Sequence, residues 1–439
     1  MNTIGRYEIQ YKVGSGTFGD VYKAYDPVLK RVVAIKMPSM TLDREKLADV
    51  VKEFYHEAAV GAQFQHKNII TVYDVGCNTV GESSGSDDFK FHYLVMEFVS
   101  GVNLKEYLEQ EKQLSIRETL NIVFECCKAL DYIHFQGVLH RDIKPGNIMV
   151  NPNYSTVKIT DFSISDSVTN QMDKTIGTLP YTSPEHFLKD KPLSIQTDIF
   201  ALGSVMYQLL TGKSPFRGSN VDEIVNKIVN ADPVPVQQFR PDVPSEVEEI
   251  VVKAMQKKPE DRFSSALDFA DAVSKALMGF PEEAEAAGGE EKKPKTNISE
   301  YMLLRQNSWF IDFSPNQIDE LVSSGEVLTF EAEEDIVTEG EEANAFFTIL
   351  EGEADVVKGA ITIGHLQAGE CFGELGHLTA DQKRTASIIA TEPVRVLKVD
   401  SELLSKLSPE SQAAFYKAFL IVTMKRLVDK SEELASKSC

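Results

Sequence analysis

The chain has 439 residues, 42% of them hydrophobic, and a formal net charge of −22, which is too long for one ordinary domain and predicts roughly two to three. Such an acidic surface argues against nucleic acid or an anionic membrane as the main partner, and no run reaches the ~18 apolar residues of a membrane span. The first residues do not form a secretory signal and the five cysteines are scattered without metal-type pairs, so we expect a cytoplasmic protein.

Three glycines (Gly14, Gly16 and Gly19) follow the first predicted strand, in the sequence Y-E-I-Q-Y-K-V-G-S-G-T-F-G-D-V-Y. The residues after them alternate like a strand, which predicts a hairpin rather than the strand–helix turn of a dinucleotide-binding unit. Because glycine has no Cβ atom, such a hairpin can approach phosphate groups closely. The next predicted strand, V-A-I-K, ends in Lys36. The sequence therefore predicts a phosphate-binding hairpin beside a lysine; the alternative is an ordinary turn and a surface lysine.

A helical pattern follows from Leu42 to Phe64. Its glutamates Glu53 and Glu57 are one turn apart, so either could reach the lysine of the preceding strand. Two strands are predicted within residues Thr71–Val99. The polar insert between them, Asn78–Lys90, is rich in Gly, Ser and Asp and predicts a loop.

A long buried helix, Leu114–Gln136, leads into V-L-H-R-D-I-K-P-G-N-I-M-V, and K-I-T-D-F-S follows after a hairpin-like span. These segments carry Asp142, Lys144, Asn147 and Asp161. Asp142 can orient an attacking hydroxyl and accept its proton, and Lys144 can neutralise a transferring phosphoryl group. Asn147 and Asp161 can hold a divalent metal against phosphates, so the order of groups suits phosphoryl transfer.

The glycine hairpin, V-A-I-K, H-R-D-x-x-x-x-N and D-F-x together form the pattern of protein kinases. On these motifs residues 5–278 resemble the protein-kinase family, and D-I-K-P is the form seen in Ser/Thr kinases, similar to the bacterial ones. The resemblance implies an α+β bilobal fold with an N-lobe over 5–99 and a C-lobe over 100–278. It also implies ATP, Mg²⁺ or Mn²⁺, and the Ser/Thr hydroxyls of protein substrates.

The resemblance assigns further residues by their place in the motifs. Glu57, rather than Glu53, is expected to pair with Lys36, because its distance to the following H-K-N-I-I is similar to that in the family. His140 is expected to pack and form hydrogen bonds rather than act as a base. The adenine site is expected to consist of the gatekeeper Met96, the Glu97 carbonyl, the Val99 amide, and Val21, Ala34 and Met149 around the ring. Two structural expectations are Asp198 bracing the catalytic loop and Arg262 pairing with Glu185.

One departure from the family concerns the triplet D-F-S, which has Ser163 where glycine is usual. The metal ligand Asp161 is intact, so chemistry is not excluded. Serine is costlier than glycine at positive φ, and we expect a less mobile triplet.

The activation segment is expected to end at G-T-L-P-Y-T-S-P-E, with Thr178 contacting Asp142 and Lys144. Arg141 offers a guanidinium fork for a phosphate on this segment. Thr175 is the first candidate phosphosite and Thr169 the second; the alternative is that neither threonine is modified.

Residues 279–297 contain almost no large apolar side chain and predict an acidic linker. From residue 298 to 435, short alternating strands are clearest at 326–330, 346–350, 354–357 and 394–399. Gly340, Gly352, Gly364 and Gly369 are expected to lie between strands. This spacing predicts a small β-roll or barrel with flanking helices.

The sequence F-G-E-L, followed by K-R-T-A, resembles the phosphate-binding cassette of the cyclic-nucleotide-binding family. A short helix after F-G-E would direct N–H groups at a cyclic phosphate, and Arg384 would bind it through two hydrogen bonds. The family pattern places Glu374 on the ribose 2′-hydroxyl. The complete cassette is Gly373, Glu374, Leu375, Arg384, Thr385 and Ala386. Lys383 replaces a common proline, Thr385 leaves cAMP against cGMP open, and the alternative is a degenerate domain that binds nothing.

Residues 401–435 predict helices that would cover the nucleotide, pack on the roll or form a homodimer. The sequence as a whole predicts an ATP-dependent Ser/Thr protein kinase regulated by a cyclic nucleotide. One alternative is a kinase-like scaffold without transfer activity. Another is a constitutive kinase that uses its C-terminal domain for docking or dimerisation.

Overall fold

The computed structural model describes residues 3–16, 19–38, 44–80, 89–110, 114–151, 156–161, 179–188, 191–280, 298–310, 312–373 and 383–436. Contacts divide the chain into two compact units, Met1–Pro294 and Lys295–Cys439. The division falls inside the linker predicted over residues 279–297, of which 281–297 lie outside the described residues. In the part of the chain that the structure describes, no helix is long and apolar enough to cross a membrane.

The first unit begins with a six-stranded antiparallel sheet of order β1–β2–β3–β4–β6–β5. Its strands and one helix are β1 Thr3–Ile4, β2 Tyr7–Gly16, β3 Gly19–Asp26, β4 Arg31–Met37, α1 Arg44–Gly61, β5 Val72–Val80 and β6 Phe89–Glu97. The predicted glycine hairpin is confirmed, since β2 and β3 pair antiparallel up to Gly16 and Gly19. The sheet already starts at Thr3, two residues before the expected boundary.

The loop expected over Asn78–Lys90 is too long. Asn78, Thr79 and Val80 pair with Phe91, Lys90 and Phe89, so both strands extend into the polar insert. The reason is that strand pairing uses backbone N–H and C=O groups, which polar residues supply as well as apolar ones. Alternation along β6 puts Phe91, Tyr93 and Val95 in one apolar cluster of the sheet.

The rest of the first unit is mainly helical. Its elements are β7 Val102–Asn103, α2 Leu104–Glu109, α3 Ile116–Phe135, β8 Ile148–Val150, β9 Val157–Ile159, α4 Ile195–Thr211, α5 Val221–Asn230, α6 Val236–Phe239, α7 Ser245–Ala254 and α8 Ala266–Met278. The predicted long buried helix is α3. It starts at a capping box formed by Ser115 and Glu118, which satisfies backbone donors at the helix start.

The second unit contains two four-stranded antiparallel sheets, of orders β10–β17–β12–β15 and β11–β16–β13–β14, as the predicted roll requires. The strands are β10 Glu326–Phe330, β11 Asp335–Val337, β12 Ala345–Glu351, β13 Glu353–Lys358, β14 Ile361–Gln367, β15 Cys371–Phe372, β16 Ser387–Ala390 and β17 Val394–Asp400. The expectation for Gly364 is wrong: it lies inside β14 beside a register shift. Gly352 does occupy a turn, at φ 88°, a region that favours glycine.

In the described part of the second unit, four helices flank the roll: α9 Ile298–Gln306, α10 Pro315–Ser324, α11 Ser401–Lys406 and α12 Pro409–Ser436. An aromatic cluster connects two of these regions, the segment after α9 and the start of α12, with β12. The ring of Trp309 lies 5.0 Å from that of Phe346 and 5.2 Å from that of Phe415. This cluster links the segment after α9 and the start of α12 to β12, which pairs with β15, the strand just before the cassette.

Candidate functional site

A buried lysine connects three elements of the first unit. Lys36 ends the run of buried residues on β4, and its Nζ donates to Glu57 of α1 at 2.9 and 3.2 Å and to Asp161, just after β9, at 2.7 Å. The Lys36 side chain is 6% exposed. Lys36, Glu57 and Asp161 lie far apart in the sequence, yet they meet around one ammonium group.

The charges of this cluster do not balance, because two carboxylates share one ammonium. Burial lowers the pKa of Lys36, but the charges of Asp161 and Glu57 outweigh it, and the pKa lies above its ordinary value. Burial raises the pKa of Glu57 to about 7, against the opposing effect of Lys36. Burial also raises the pKa of Asp161, yet Lys36 lowers it below the usual range. The cluster therefore has room for a further positive charge.

The catalytic-loop residues form a second group. Lys144 Nζ donates to Asp142 Oδ2 at 2.7 Å, and Asn147 Nδ2 donates to the same oxygen at 2.9 Å and to the Asp142 carbonyl at 2.9 Å. Asp142 is 8% exposed. With its nitrogen bound to Asp142, Asn147 presents its amide oxygen as the atom for a cation. Amide and carboxylate oxygens are the ligands that Mg²⁺ prefers.

A buried carboxylate supports this loop from below. Asp198, on α4, accepts from the backbone N–H groups of His140 at 2.9 Å and Arg141 at 2.8 Å. Nε2 of His134 lies 2.9 Å from the same carboxylate. Burial lowers the pKa of His140, although nearby carboxylates oppose it, so its ring stays neutral and packs. Arg141 is held at φ 64°, a conformation that these hydrogen bonds fix.

The glycine hairpin lies beside β4 in the sheet, because its second strand, β3, pairs with β4. Gly19 has φ 142°, and a Cβ there would come within 1.7 Å of the Met37 carbonyl oxygen, so only glycine fits. A Cβ at Gly14 would meet nothing within 4 Å. Gly16 pairs with Gly19 across the hairpin.

The residues expected around adenine form a small apolar cluster. Ala34 and Met96 are buried together with Ile70, and Val21 and Val99 pack on them. Met149 is half-buried on β8. Sequence reasoning missed the role of the Glu97 side chain, which binds Lys158 at 3.0 Å. That contact could not be read from the motif, since it joins β6 to β9.

In the second unit, Arg384 is buried, at 6% exposure. Its guanidinium donates to the carbonyl oxygens of Ala345 at 2.8 Å and Gly373 at 3.2 Å, and it lies 5.5 Å from the Phe347 ring centre. Among the described residues no carboxylate forms an ion pair with it. Burial lowers the pKa of Arg384, with Glu341 opposing weakly through space.

The rest of the cassette is only partly described. Gly373 has φ 94°, and a Cβ there would come within 2.7 Å of the Arg384 guanidinium. Thr385 is exposed and Ala386 half-buried. Six sequence expectations lie outside the described residues: Ser163, Thr169, Thr175, Thr178, Glu374 and Leu375.

Comparison with known proteins agrees with the motifs. Residues 7–276 match the family model described as protein kinase domain, and residues 327–410 match the model described as cyclic nucleotide-binding domain. The probable serine/threonine-protein kinase PknB of Corynebacterium glutamicum is 34% identical over 312 residues, covering 67% of this chain and 46% of that protein. The serine/threonine-protein kinase PrkC of Bacillus subtilis is 34% identical over 268 residues, covering 60% and 39%.

The chain spans less than half the length of these two relatives. A crystal structure of the Mycobacterium tuberculosis PknI kinase domain is 26% identical, covers 62% of this chain and 96% of that chain, and superposes with a TM-score of 0.46.

Proposed function

Because the chain belongs to the protein kinase family, we propose that it transfers the γ-phosphoryl group of ATP to Ser/Thr hydroxyls of proteins, under control of a cyclic nucleotide bound to its C-terminal domain. The observation that carries the first half is the contact of Lys36 with both Glu57 and Asp161. In this family a lysine held in this way binds the nucleotide phosphates, and the contact supports the same role for Lys36. Both relatives are named serine/threonine-protein kinases, which supports Ser/Thr hydroxyls as the acceptors.

In the proposed transfer, the substrate hydroxyl oxygen attacks the γ-phosphorus while the bond to the ADP oxygen breaks. Asp142 orients that hydroxyl and accepts its proton. Lys144, 2.7 Å from Asp142, offsets the charge of the moving phosphoryl group. Lys36 holds the other phosphates.

A divalent metal fits the residues present. The Asn147 amide oxygen and Asp161 supply hard oxygen ligands, and two carboxylates around one ammonium leave negative charge to be neutralised. Mg²⁺ or Mn²⁺ would be held here partly by protein oxygens and partly by the phosphates. When bound, the metal would neutralise the phosphate oxygens.

Regulation by a cyclic nucleotide is proposed from the burial of Arg384. A guanidinium taken out of water without a carboxylate partner in the described part of the chain is a strong site for an anion, and a cyclic phosphate offers two oxygens. Arg384 bonds the carbonyl of Ala345, and the next residue, Phe346, packs on Trp309. A ligand that draws Arg384 away can thereby act on α9 and α12.

The direction of the effect depends on which form of the protein the nucleotide prefers, and the exposed Thr385 leaves both cAMP and cGMP as ligands. Thr175 and Thr169 stay predictions for phosphorylation within the activation segment. Location in the cytoplasm is likewise a prediction from composition.

The test is phosphate transfer from labelled ATP with Mg²⁺ to the protein itself and to a generic Ser/Thr substrate, titrated with cAMP and cGMP. Asp142→Asn is the inactive control, and Arg384→Ala removes the anion site. We expect transfer that responds to one nucleotide and a response lost in Arg384→Ala. Transfer no greater than that of Asp142→Asn would favour the scaffold; transfer indifferent to both nucleotides would favour a constitutive kinase.

A homodimer is a further proposal, favoured by the outward face of α12. Tyr416, Leu420, Ile421 and Met424 are each more than half exposed there, and such a face is typical of helix pairing. We expect a second copy to cover it. Light scattering of the full chain and of a Leu420→Glu variant measures this: a monomeric full chain would contradict it.

A further inference from the structure

A second polar contact holds α1, on the side of the helix away from Lys36. The Tyr55 hydroxyl lies 2.9 Å from Nδ1 of His92 on β6, and the two rings meet edge to face with centres 5.3 Å apart. Burial raises the pKa of the Tyr55 phenol, so the hydroxyl stays protonated and can donate. Nothing in the kinase motifs refers to either residue.

The position of His92 follows from the register of β6. Side chains alternate along a strand, so His92, Leu94 and Met96 share the face opposite the Phe91 cluster. Leu94 packs on α1 and Met96 lies in the expected adenine cluster. One face of one strand therefore contacts, in order, the Tyr55 hydroxyl, the apolar side of α1 and the nucleotide pocket.

Helix geometry places Tyr55 and Glu57 on opposite flanks of the face that α1 packs on the sheet. Successive residues of an α-helix are about 100° apart. Phe54 and Ala58, both 3% exposed, form the ridge of α1 that packs on Leu94. Relative to that ridge, Tyr55 lies about 80° to one side and Glu57 about 80° to the other. A rotation of α1 about its own axis would therefore break both the Tyr55–His92 and the Glu57–Lys36 contact.

The apolar part of this interface is small. In the described part of α1, its core cluster consists of Phe54, Ala58 and Leu94, with Val72 half-buried beside them. Apolar packing has no direction, so a ridge this narrow leaves the rotation of the helix poorly fixed. Directional hydrogen bonds on its two flanks can fix it.

We propose that the Tyr55–His92 hydrogen bond sets the rotation of α1 and thereby positions Glu57 on Lys36. Both are positioning residues for the proposed phosphoryl transfer, on which this inference rests.

The variants isolate the hydrogen bond. Tyr55→Phe removes the hydroxyl alone, and His92→Leu removes its acceptor. His92→Asn is the matched control, since its amide oxygen replaces Nδ1 at the same distance from the backbone. We expect Tyr55→Phe and His92→Leu each to lower kcat/KM for ATP about threefold to tenfold. His92→Asn should stay within about twofold of wild type, and the Tyr55→Phe/His92→Leu double variant should equal the worse single one.

Two measurements distinguish positioning of Glu57 from a purely structural role of Tyr55: activity in the Glu57→Gln background, and amide exchange. If Tyr55 acts through Glu57, Tyr55→Phe should change activity less than about 1.5-fold once Glu57 is Gln. Amides of α1 should exchange faster in Tyr55→Phe and not in His92→Asn. Equal effects of Tyr55→Phe in both backgrounds, or unchanged exchange, would overturn the proposal. Should wild type transfer no more phosphate than Asp142→Asn, the proposed function fails, and exchange in α1 still decides this point.

Discussion

Replacing Arg384 by methionine should separate ligand binding from stability in the second unit. The guanidinium makes two hydrogen bonds to carbonyl oxygens, at 2.8 and 3.2 Å. Hydrogen bonds to a charged group contribute about 1.5–3 kcal/mol each. A cyclic phosphate bound by two such bonds would therefore lose roughly two to four orders of magnitude in affinity in Arg384→Met.

The stability of the ligand-free protein should respond differently. Taking a guanidinium out of water costs several kcal/mol, and burial accordingly lowers the pKa of Arg384. Methionine removes that cost while leaving two carbonyl oxygens to find other donors, at about 1–3 kcal/mol each. These terms oppose each other, so we expect the free energy of unfolding to change by no more than about 1 kcal/mol.

The fluorescence of Trp309 provides the assay, because it is the only tryptophan in the chain and packs on Phe346. Titration with cAMP and cGMP gives affinity, and urea unfolding without nucleotide gives stability. Lys383→Met is the matched control, since it removes one exposed positive charge from the adjacent position. Affinity retained within fivefold in Arg384→Met, or a loss of more than about 3 kcal/mol in its unfolding free energy, would refute the reasoning.

Three further outcomes follow from charges that are buried or partly buried. Arg262→Lys should destabilise the protein by about 3 kcal/mol in urea unfolding, because lysine cannot replace the two 2.8 Å bonds to fully buried Glu185. Lys257→Met should raise the free energy of unfolding at pH 7 by on the order of 1–2 kcal/mol, because burial lowers the pKa of Lys257 to about 8 from 10.5. Wild type therefore gains stability as the pH rises from 8 to 10.5, and over that range the two proteins become equally stable. Burial raises the pKa of Glu320, but hydrogen bonds from Ser411 and Ser408 outweigh it and hold the pKa below its usual range. Glu320→Gln should therefore lower the free energy of unfolding by about 1–2 kcal/mol at pH 7. In urea unfolding at pH 4 and below, the difference between the two proteins should become smaller.

The parts that sequence reasoning could anticipate are those whose chemistry is local in the chain. The glycines of the β2–β3 hairpin and the loop around Asp142 carry their function in residue type and spacing. The long helix α3 was predictable from its apolar periodicity. Each of these depends on neighbours within a few positions.

What the sequence could not supply depends on backbone groups and on register. Arg384 binds the backbone carbonyl of Ala345, 39 positions earlier. Every residue carries such a carbonyl, so the residue type gives no sign of the contact. Gly364 was expected in a turn, yet β14 accepts it beside a register shift. The polar ends of β5 and β6 pair through their backbones. Sequence patterns report side chains, so features that rest on the main chain stay hidden.

The site around Lys36 and the site around Arg384 each carry buried charge, an excess of carboxylates in the first and a guanidinium in the second. Around Lys36, two carboxylates face one ammonium, and burial raises the pKa of Glu57 to about 7, so a proton or a bound cation can complete the charge balance. Around Arg384, a buried cation has only carbonyl oxygens as hydrogen-bond partners among the described residues, so an anion completes it. Each ligand would then bind the folded state far better than the unfolded one. The proposed function therefore requires that a metal–nucleotide complex and a cyclic nucleotide each raise the unfolding temperature of the unit they bind.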